Sequence, residues 1–221
     1  MFFDLSSAQM IFISIIATLM ALFVAMPFHE FAHAFAAKRE GDYTAVAMRR
    51  YTLAFHEHFD FFGFLCLFFL GFGWAKPVPV DSRNFKRGRK SQFIVSIAGI
   101  VANLILGIAF LFIYVLYIKF ATDAFFFSFY GQLLYYFLST SFSLNFMLAF
   151  FNLLPLYPLD GYRIIDSFCR QDNDILGFMR KYSTILYIII IVTGVFSLLY
   201  ANTMGRLVTL LFELFSKIVG L

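Results

Sequence analysis

Four long stretches of the sequence contain no charged side chain, and this feature constrains the fold more than any other. They cover residues 5–28, 91–118, 124–159 and 182–205. An α-helix needs about 20 predominantly apolar residues to cross the hydrocarbon core of a bilayer, so each stretch is long enough for one crossing. Inside lipid every backbone polar group must be bonded within the protein, which a helix achieves by itself. The sequence therefore predicts an all-α polytopic membrane protein.

The overall composition supports this prediction. Hydrophobic residues make up 62% of the 221 residues and charged residues 14%, whereas an average soluble protein has about 45–50% and about 25%. These values exclude an ordinary water-soluble globule and an intrinsically disordered chain. Only two cysteines, Cys66 and Cys169, are present, which excludes a disulfide framework or a cysteine-rich metal cluster.

The predicted architecture is a bundle of 4–6 transmembrane helices in a single domain that covers residues 1–221. The spans are predicted at about 8–37, 91–118, 124–155 and 182–201. Residues 207–221 contain Glu213 and Lys217, and this segment could form either a further span or an interfacial helix.

Residues 61–80 are predicted to form a re-entrant hairpin rich in glycine and proline. The apolar part of this segment is too short for a crossing, and Pro77 and Pro79 exclude a regular helix at its end. Basic residues flank it on both sides, so a full crossing would leave one basic cluster outside the cell.

The basic residues also predict the orientation, because cytoplasmic loops carry an excess of lysine and arginine. Lys38 and Arg39 follow the first span, and a larger cluster precedes the second span: Arg83, Lys86, Arg87, Arg89 and Lys90. We therefore expect these ends to face the cytoplasm. At the edge of apolar spans, such a cluster indicates the surface of a lipid bilayer, and no nucleic-acid partner is expected.

The first span ends in the sequence His29-Glu30-Phe31-Ala32-His33, an HExxH motif. Residues i and i+4 lie on one face of a helix, so both imidazoles can reach one metal ion. Glu30 can then hold and deprotonate a metal-bound water molecule. The alternative is a structural role, in which these polar side chains join neighbouring helices by hydrogen bonds. Ionisable residues at this depth are costly and point to function, so the motif favours a metal site.

A hydrolytic zinc site needs a third protein ligand, and Asp160 is the candidate. It is the only charged residue between Ala124 and Tyr162, and it follows the cytoplasmic end of the third predicted span. It could instead lie in a surface turn with Gly161. Asn152, near the end of the same span, could bind a substrate backbone or an oxyanion, or it could join two helices.

Two further patterns are predicted to be structural. His56 and His58 flank Glu57 and could bind metal, but their charged surroundings favour a solvated cytoplasmic loop. Small residues at a spacing near four, Ala98-Gly99, Ala102-Asn103 and Gly107, favour a close-packing ridge on the second span. The expected neighbour of this ridge is the HExxH helix.

Over roughly residues 20–165 the sequence resembles the site-2 protease family of intramembrane zinc metalloproteases, in its compact prokaryotic form without a PDZ or CBS domain. The resemblance rests on His29–His33, on residues 73–80 and 98–103, and on Asn152-x-x-Pro155 followed by Leu159-Asp160-Gly161. It implies one zinc ion per chain, bound by His29, His33 and Asp160, with Glu30 as the catalytic residue and Asn152 at the substrate. One departure is Ile100, where the family usually has proline.

The resemblance implies hydrolysis of peptide bonds within or near transmembrane segments of membrane proteins. The expected partner is a substrate's transmembrane helix, and the expected location is a prokaryotic cell membrane, with the active site toward the cytoplasm. Two alternatives are a catalytically silent scaffold of the same fold and a metal transporter. A transporter needs a polar path across the whole bilayer, whereas residues 10–24 and 125–136 are overwhelmingly apolar.

Overall fold

The computed structural model describes residues 7–63, 75–169 and 174–221. These residues form helices and connecting segments, without a β-strand among them, which confirms the all-α prediction. The helices are α1 (Ser7–Arg39), α2 (Thr44–Ala47), α3 (Phe55–His58), α4 (Arg89–Phe120), α5 (Asp123–Phe126), α6 (Phe129–Leu153), α7 (Asp160–Phe168), α8 (Asp174–Lys181), α9 (Ser183–Val192), α10 (Val195–Tyr200) and α11 (Arg206–Val219). A 3₁₀ turn covers Ser82–Asn84, and a π-helical turn, Ala201–Gly205, joins α10 to α11.

Four helical segments are long and apolar enough to cross a membrane: Ala8–Arg39, Arg89–Phe120, Phe129–Leu153 and Val195–Val219. The first three fall on the predicted spans 8–37, 91–118 and 124–155. The helices α1 and α4 extend slightly beyond their predicted ends, and α6 begins a few residues later than predicted.

The fourth segment differs from the predicted span at 182–201. Helix α9 ends at Val192, and Gly194 adopts a φ of +70° before α10 begins. Glycine reaches this left-handed region without the steric cost of a Cβ atom, so the helix breaks there although no charge marks the position. Residues 195–219 instead form one continuous helical segment, which includes most of the 207–221 stretch that is predicted as either a span or an interfacial helix.

The predicted re-entrant hairpin at 61–80 lies largely outside the described residues, which omit 64–74. Its described end, residues 75–80, forms neither helix nor strand, as Pro77 and Pro79 predict. Val78 is buried here against Ala34 and Ala45, with Tyr51 packed beside them.

The chain divides into two compact units. The apolar unit comprises the chain through Ala25, Leu104–Leu148 and Phe196–Leu221. Aromatic pairs hold it together, including Phe112 with Phe215 at 5.1 Å and Tyr114 with Phe142 at 5.2 Å between ring centroids. The site unit comprises Met26–Asn103 and Ala149–Val195, and it contains all the predicted site residues.

Within the site unit, Glu40 ties the end of α1 to the start of α4. Its side chain is buried, and it accepts hydrogen bonds from Arg87 Nε at 3.0 Å and from Ser91 Oγ at 2.6 Å. The bond from Arg87, together with that from Ser91, lowers the pKa of the Glu40 carboxyl below its ordinary value. A carboxylate charge at this position therefore stabilises the junction.

A second buried carboxylate, Asp42, fixes the chain after residue 80. The backbone N–H of Asp81 donates to Asp42 Oδ2 at 2.8 Å, and Asn84 Nδ2 donates to Oδ1 at 3.0 Å. Burial raises the pKa of Asp42, but the hydrogen bonds from Thr44, Asn84 and Asp81 outweigh it and the pKa is lowered. These bonds set the position from which residues 75–80 run back towards α1.

Candidate metal centre

The HExxH residues lie in the part of α1 that belongs to the site unit, which begins at Met26. His29 and His33 are one turn apart, and their Nε2 atoms are 3.1 Å from each other. The rings meet edge to face, with centroids 4.7 Å apart. The helical spacing alone produces this arrangement, because residues i and i+4 share one face.

Asp160, the first residue of α7, brings a carboxylate to the two histidines. Its Oδ2 atom lies 3.1 Å from His33 Nε2 and 3.4 Å from His29 Nε2. The side chains are largely buried, with exposed fractions of 11% for His29 and 9% for both His33 and Asp160. The structure thus brings Asp160 to two histidines that lie far from it in the sequence.

Hydrogen bonds on the far side of each ring show which nitrogen carries the proton. His33 Nδ1 is 2.7 Å from the carbonyl oxygen of Val95. A carbonyl only accepts, so Nδ1–H is the donor, and Nε2 of the neutral ring carries a lone pair. His29 Nδ1 lies 2.6 Å from Asn103 Oδ1. An amide oxygen also only accepts, so Nδ1–H is again the donor and Nε2 of the neutral ring carries the lone pair.

Two imidazole lone pairs and a carboxylate oxygen therefore converge in a buried space. Asp160 Oδ2 has no hydrogen-bond partner among the described residues, and such a cluster is repulsive unless a cation lies between its members. Two ligands at zinc–nitrogen distances in a tetrahedral site are about 3.3 Å apart. The observed separations of 3.1–3.4 Å match this value, so the donor set fits zinc. His29, His33 and Asp160 are the residues that could hold one ion.

Glycines allow the helices to approach this centre. A Cβ atom on Gly99 of α4 would lie 2.5 Å from His29 Cε1 and even closer to His33 Nε2. A Cβ atom on Gly161 of α7 would collide with the carbonyl oxygens of Leu153 and Leu154. The predicted small-residue ridge of the second span does pack against the HExxH helix at Gly99, and Gly161 lets α7 begin directly beside the end of α6.

Glu30 lies outside this ligand set but next to it in the sequence. Its side chain is half-buried, and its Oε2 atom accepts a hydrogen bond from the backbone N–H of Val78 at 2.7 Å. The carboxylate of the HExxH motif is thus fixed by the proline-flanked segment 76–80.

The model of Peptidase family M50 matches residues 17–197 of this chain. The chain belongs to this family. A relative in Bacillus subtilis (strain 168), named "Putative zinc metalloprotease YwhC", is 44% identical over 146 residues, which cover 66% of this chain and 66% of the relative. The match thus spans just under two thirds of the relative's own length. No solved structure matches the chain significantly.

Membership of Peptidase family M50 confirms the resemblance to site-2 proteases that the motifs predict. Together with the four apolar helices, it identifies a multi-pass membrane protein. The roles of the individual site residues in this M50 protein remain predictions drawn from the geometry.

Three other predicted positions have different outcomes. Asn152 lies half-buried in the last turn of α6, and its role at the substrate stays a prediction. The His56 side chain is 79% exposed, as expected, but it lies in the short helix α3 and not in a loop. For His58 this expectation is wrong, because the residue is 1% exposed and its Nε2–H donates to the Thr52 carbonyl at 2.8 Å. Sequence reasoning missed this burial because charged neighbours surround the residue.

Two groups that contact the histidines are not predicted by the sequence. Asn103 is visible as a polar residue in an apolar helix, but its spacing predicts only a place in the packing ridge. Its contact with His29 depends on how α4 packs against α1, which no local pattern specifies. The Val95 carbonyl carries no sequence signal at all, since every residue has one.

Proposed function

We propose that this M50 protein is an intramembrane zinc metalloprotease that hydrolyses peptide bonds within or near transmembrane segments of other membrane proteins. The observation that carries the proposal is the convergence of three buried lone-pair donors, from His29, His33 and Asp160, beside the Glu30 carboxylate. The name of the Bacillus relative supports a metalloprotease.

His29, His33 and Asp160 would hold one zinc ion per chain. When bound, zinc would supply Lewis-acid activation of water and of the scissile carbonyl. The Val95 carbonyl and Asn103 keep each imidazole in the tautomer that offers Nε2 to the metal. The burial of the three ligands limits the access of bulk water.

Glu30 is the general base and later the general acid of this reaction. Its carboxylate accepts a proton from the attacking water and returns it to the leaving amine nitrogen. The hydrogen bond from Val78 to Oε2 restricts rotation of the carboxylate. Asn152 is proposed to hydrogen-bond the substrate carbonyl as negative charge develops on it.

The proposed substrate is a transmembrane helix that enters the site from the lipid bilayer of a prokaryotic cell membrane. The site lies near the end of α1, where Lys38 and Arg39 follow, so it opens towards the cytoplasmic side. The helix of such a substrate must unwind before its peptide bonds can be hydrolysed. The backbone at 76–80, which forms neither helix nor strand, is the proposed contact for an unwound substrate strand.

Cleavage of model transmembrane substrates by the detergent-purified protein tests the proposal, with wild type compared with Glu30→Gln. Loss of the general base lowers the rate by about 10²–10⁴-fold, while bound zinc stays the same in both proteins. Glu57→Gln, a change at a half-buried acidic residue of the same unit, is the matched control and retains activity. Equal cleavage by wild type and Glu30→Gln contradicts the proposed base. Zinc binding without cleavage of any substrate favours the silent scaffold instead.

A further inference from the structure

The backbone of residues 76–78 is held from several directions. The Lys76 N–H donates to the His58 carbonyl at 2.9 Å, and Arg50 Nη2 donates to the Lys76 carbonyl at 2.8 Å. A longer contact of 3.4 Å joins Arg50 Nη2 to the Pro77 carbonyl. Two residues beyond Lys76, the Val78 N–H donates to Glu30. Arg50 and Glu30 therefore hold the same short piece of chain.

This piece of chain cannot hold itself in place. Pro77 and Pro79 have no N–H group, so the segment lacks the regular donors that a strand or helix uses. Its carbonyl oxygens need donors from elsewhere, and a guanidinium supplies strong, charge-assisted hydrogen bonds. Arg50 is the described side chain that supplies them.

The burial of Arg50 is costly and therefore informative. The residue is only 6% exposed, and none of the carboxylates in the described segments lies within ion-pair distance of its guanidinium. Its Nε atom is buried without a hydrogen-bond partner in the same part of the chain. A buried charge with no counter-ion is destabilising, so a purely structural core would be better served by an apolar residue.

The chain directs Arg50 inward by a local backbone feature. Arg49 adopts a left-handed conformation with a φ of +57°, which is uncommon for a residue with a side chain. The Arg50 N–H then bonds to the Ala45 carbonyl at 2.8 Å. As a result Arg49 is exposed and Arg50 is buried, although the two residues are adjacent and identical.

We propose that Arg50 is a positioning residue for the hydrolytic reaction. It fixes the carbonyl of Lys76 so that the Val78 N–H meets Glu30 Oε2, and this contact orients the carboxylate of the proposed base. The inference rests on the proposed role of Glu30, but its structural core, the dependence of the Val78–Glu30 contact on Arg50, is independent of any catalytic activity.

Hydrogen–deuterium exchange of the purified full-length protein tests the structural core. Because Pro77 and Pro79 lack an N–H, the amides between Lys76 and Asp81 belong to Val78 and Val80 alone, and the Val78 signal can be resolved. Arg50→Met is expected to speed exchange at Val78 at least about tenfold. Glu30→Ala removes the acceptor and has the same effect. Arg89→Met, the same substitution at an exposed arginine of α4, leaves exchange at Val78 unchanged.

Steady-state cleavage tests the catalytic consequence. Misplacement of a reacting group by about 1 Å lowers a rate by about 10²-fold, so Arg50→Met is expected to lower kcat about 10–100-fold with little change in KM or zinc content. Arg50→Lys, which can still donate to the Lys76 carbonyl, restores part of both the rate and the Val78 protection. If Arg50→Met does not fold, Arg50→Gln replaces it with the same expected direction.

Unchanged Val78 exchange in a folded Arg50→Met or Arg50→Gln protein overturns the inference. So does a loss of activity that Arg50→Lys shares in full while Val78 stays protected. If wild type cleaves no substrate, the exchange experiment still decides whether Arg50 holds Val78 against Glu30. Failure of the proposed protease function is thereby distinguished from failure of this inference.

Discussion

The site unit and the apolar unit bury polar side chains very differently. Every buried histidine, arginine, aspartate or glutamate in the described part of the chain belongs to the site unit: His33, Glu40, Asp42, Arg50, His58 and Asp160. In the apolar unit the buried polar residues within the same described ranges are Ser141 and Asn145, together with Tyr117, whose hydroxyl donates to the Gly131 carbonyl. The first unit is thus specified by directed hydrogen bonds and charges, and the second mainly by the packing of aromatic and aliphatic side chains.

This contrast explains what each unit can do. Desolvated ionisable groups are costly and persist only where specific partners hold them. In the site unit these partners orient the histidines and the base, so small displacements should affect chemistry. In the apolar unit neutral side chains dominate the interior, so comparable changes should affect stability and leave metal binding intact. Substitutions of the same kind in both units test this difference.

The largest difference in zinc binding and activity is expected between alanine substitutions at two glycines of α4. In Gly99→Ala the new methyl group would overlap both histidine rings, so we expect loss of zinc and at least about a 100-fold fall in activity. Gly107→Ala, in the apolar unit, meets the Phe146 ring at 3.1 Å and should cost about 1 kcal/mol of stability. Zinc content by elemental analysis and thermal unfolding of both variants measure the two effects.

Retention of zinc by Gly99→Ala would contradict the expected difference between the units, because the close approach of α4 would then be irrelevant to the metal centre. Loss of zinc from a folded Gly107→Ala protein would also contradict this difference, since the apolar unit would then control metal binding.

A smaller difference is expected between two fully buried asparagines. Asn103→Ala removes the acceptor of the His29 Nδ1–H, and loss of such a partner typically weakens metal binding about 10–100-fold. Asn145→Ala removes a bond to the Ser141 carbonyl and should cost about 1 kcal/mol of stability without a change in zinc affinity. Titration with a competing chromophoric chelator measures both affinities. Equal zinc affinities in the two variants would count against the role of Asn103.

The sequence predicts the two units to different extents. In both, the long uncharged runs reveal the helices α1, α4 and α6, because hydropathy depends on composition alone. The break at Gly194 escapes this reasoning, since glycine is tolerated in membrane helices and only its positive φ reveals the end of α9. The helical segment that ends at Val219 therefore starts at Val195, a position that the uncharged run does not reveal.

In the site unit, the sequence predicts the metal ligands better than the residues that position the site. His29 and His33 follow from helical spacing, and Asp160 stands out as an isolated charge between apolar residues. The contacts of Arg50 and Val78 depend on how distant segments of the chain fold back on α1. Such contacts have no local signature, and Arg50 resembles its exposed neighbour Arg49 until the backbone conformation is known.

The most direct test of the three-ligand centre is to compare the zinc content of the purified wild-type protein with that of Asp160→Ala and Asp166→Ala. Both substitutions remove an aspartate from α7, but Asp166 binds the Gln92 amide rather than facing the histidines. We expect one zinc per chain in wild type and in Asp166→Ala, and little or none in Asp160→Ala. Absence of zinc from the wild type after incubation with the metal, or full zinc content in Asp160→Ala, would contradict the three-ligand centre.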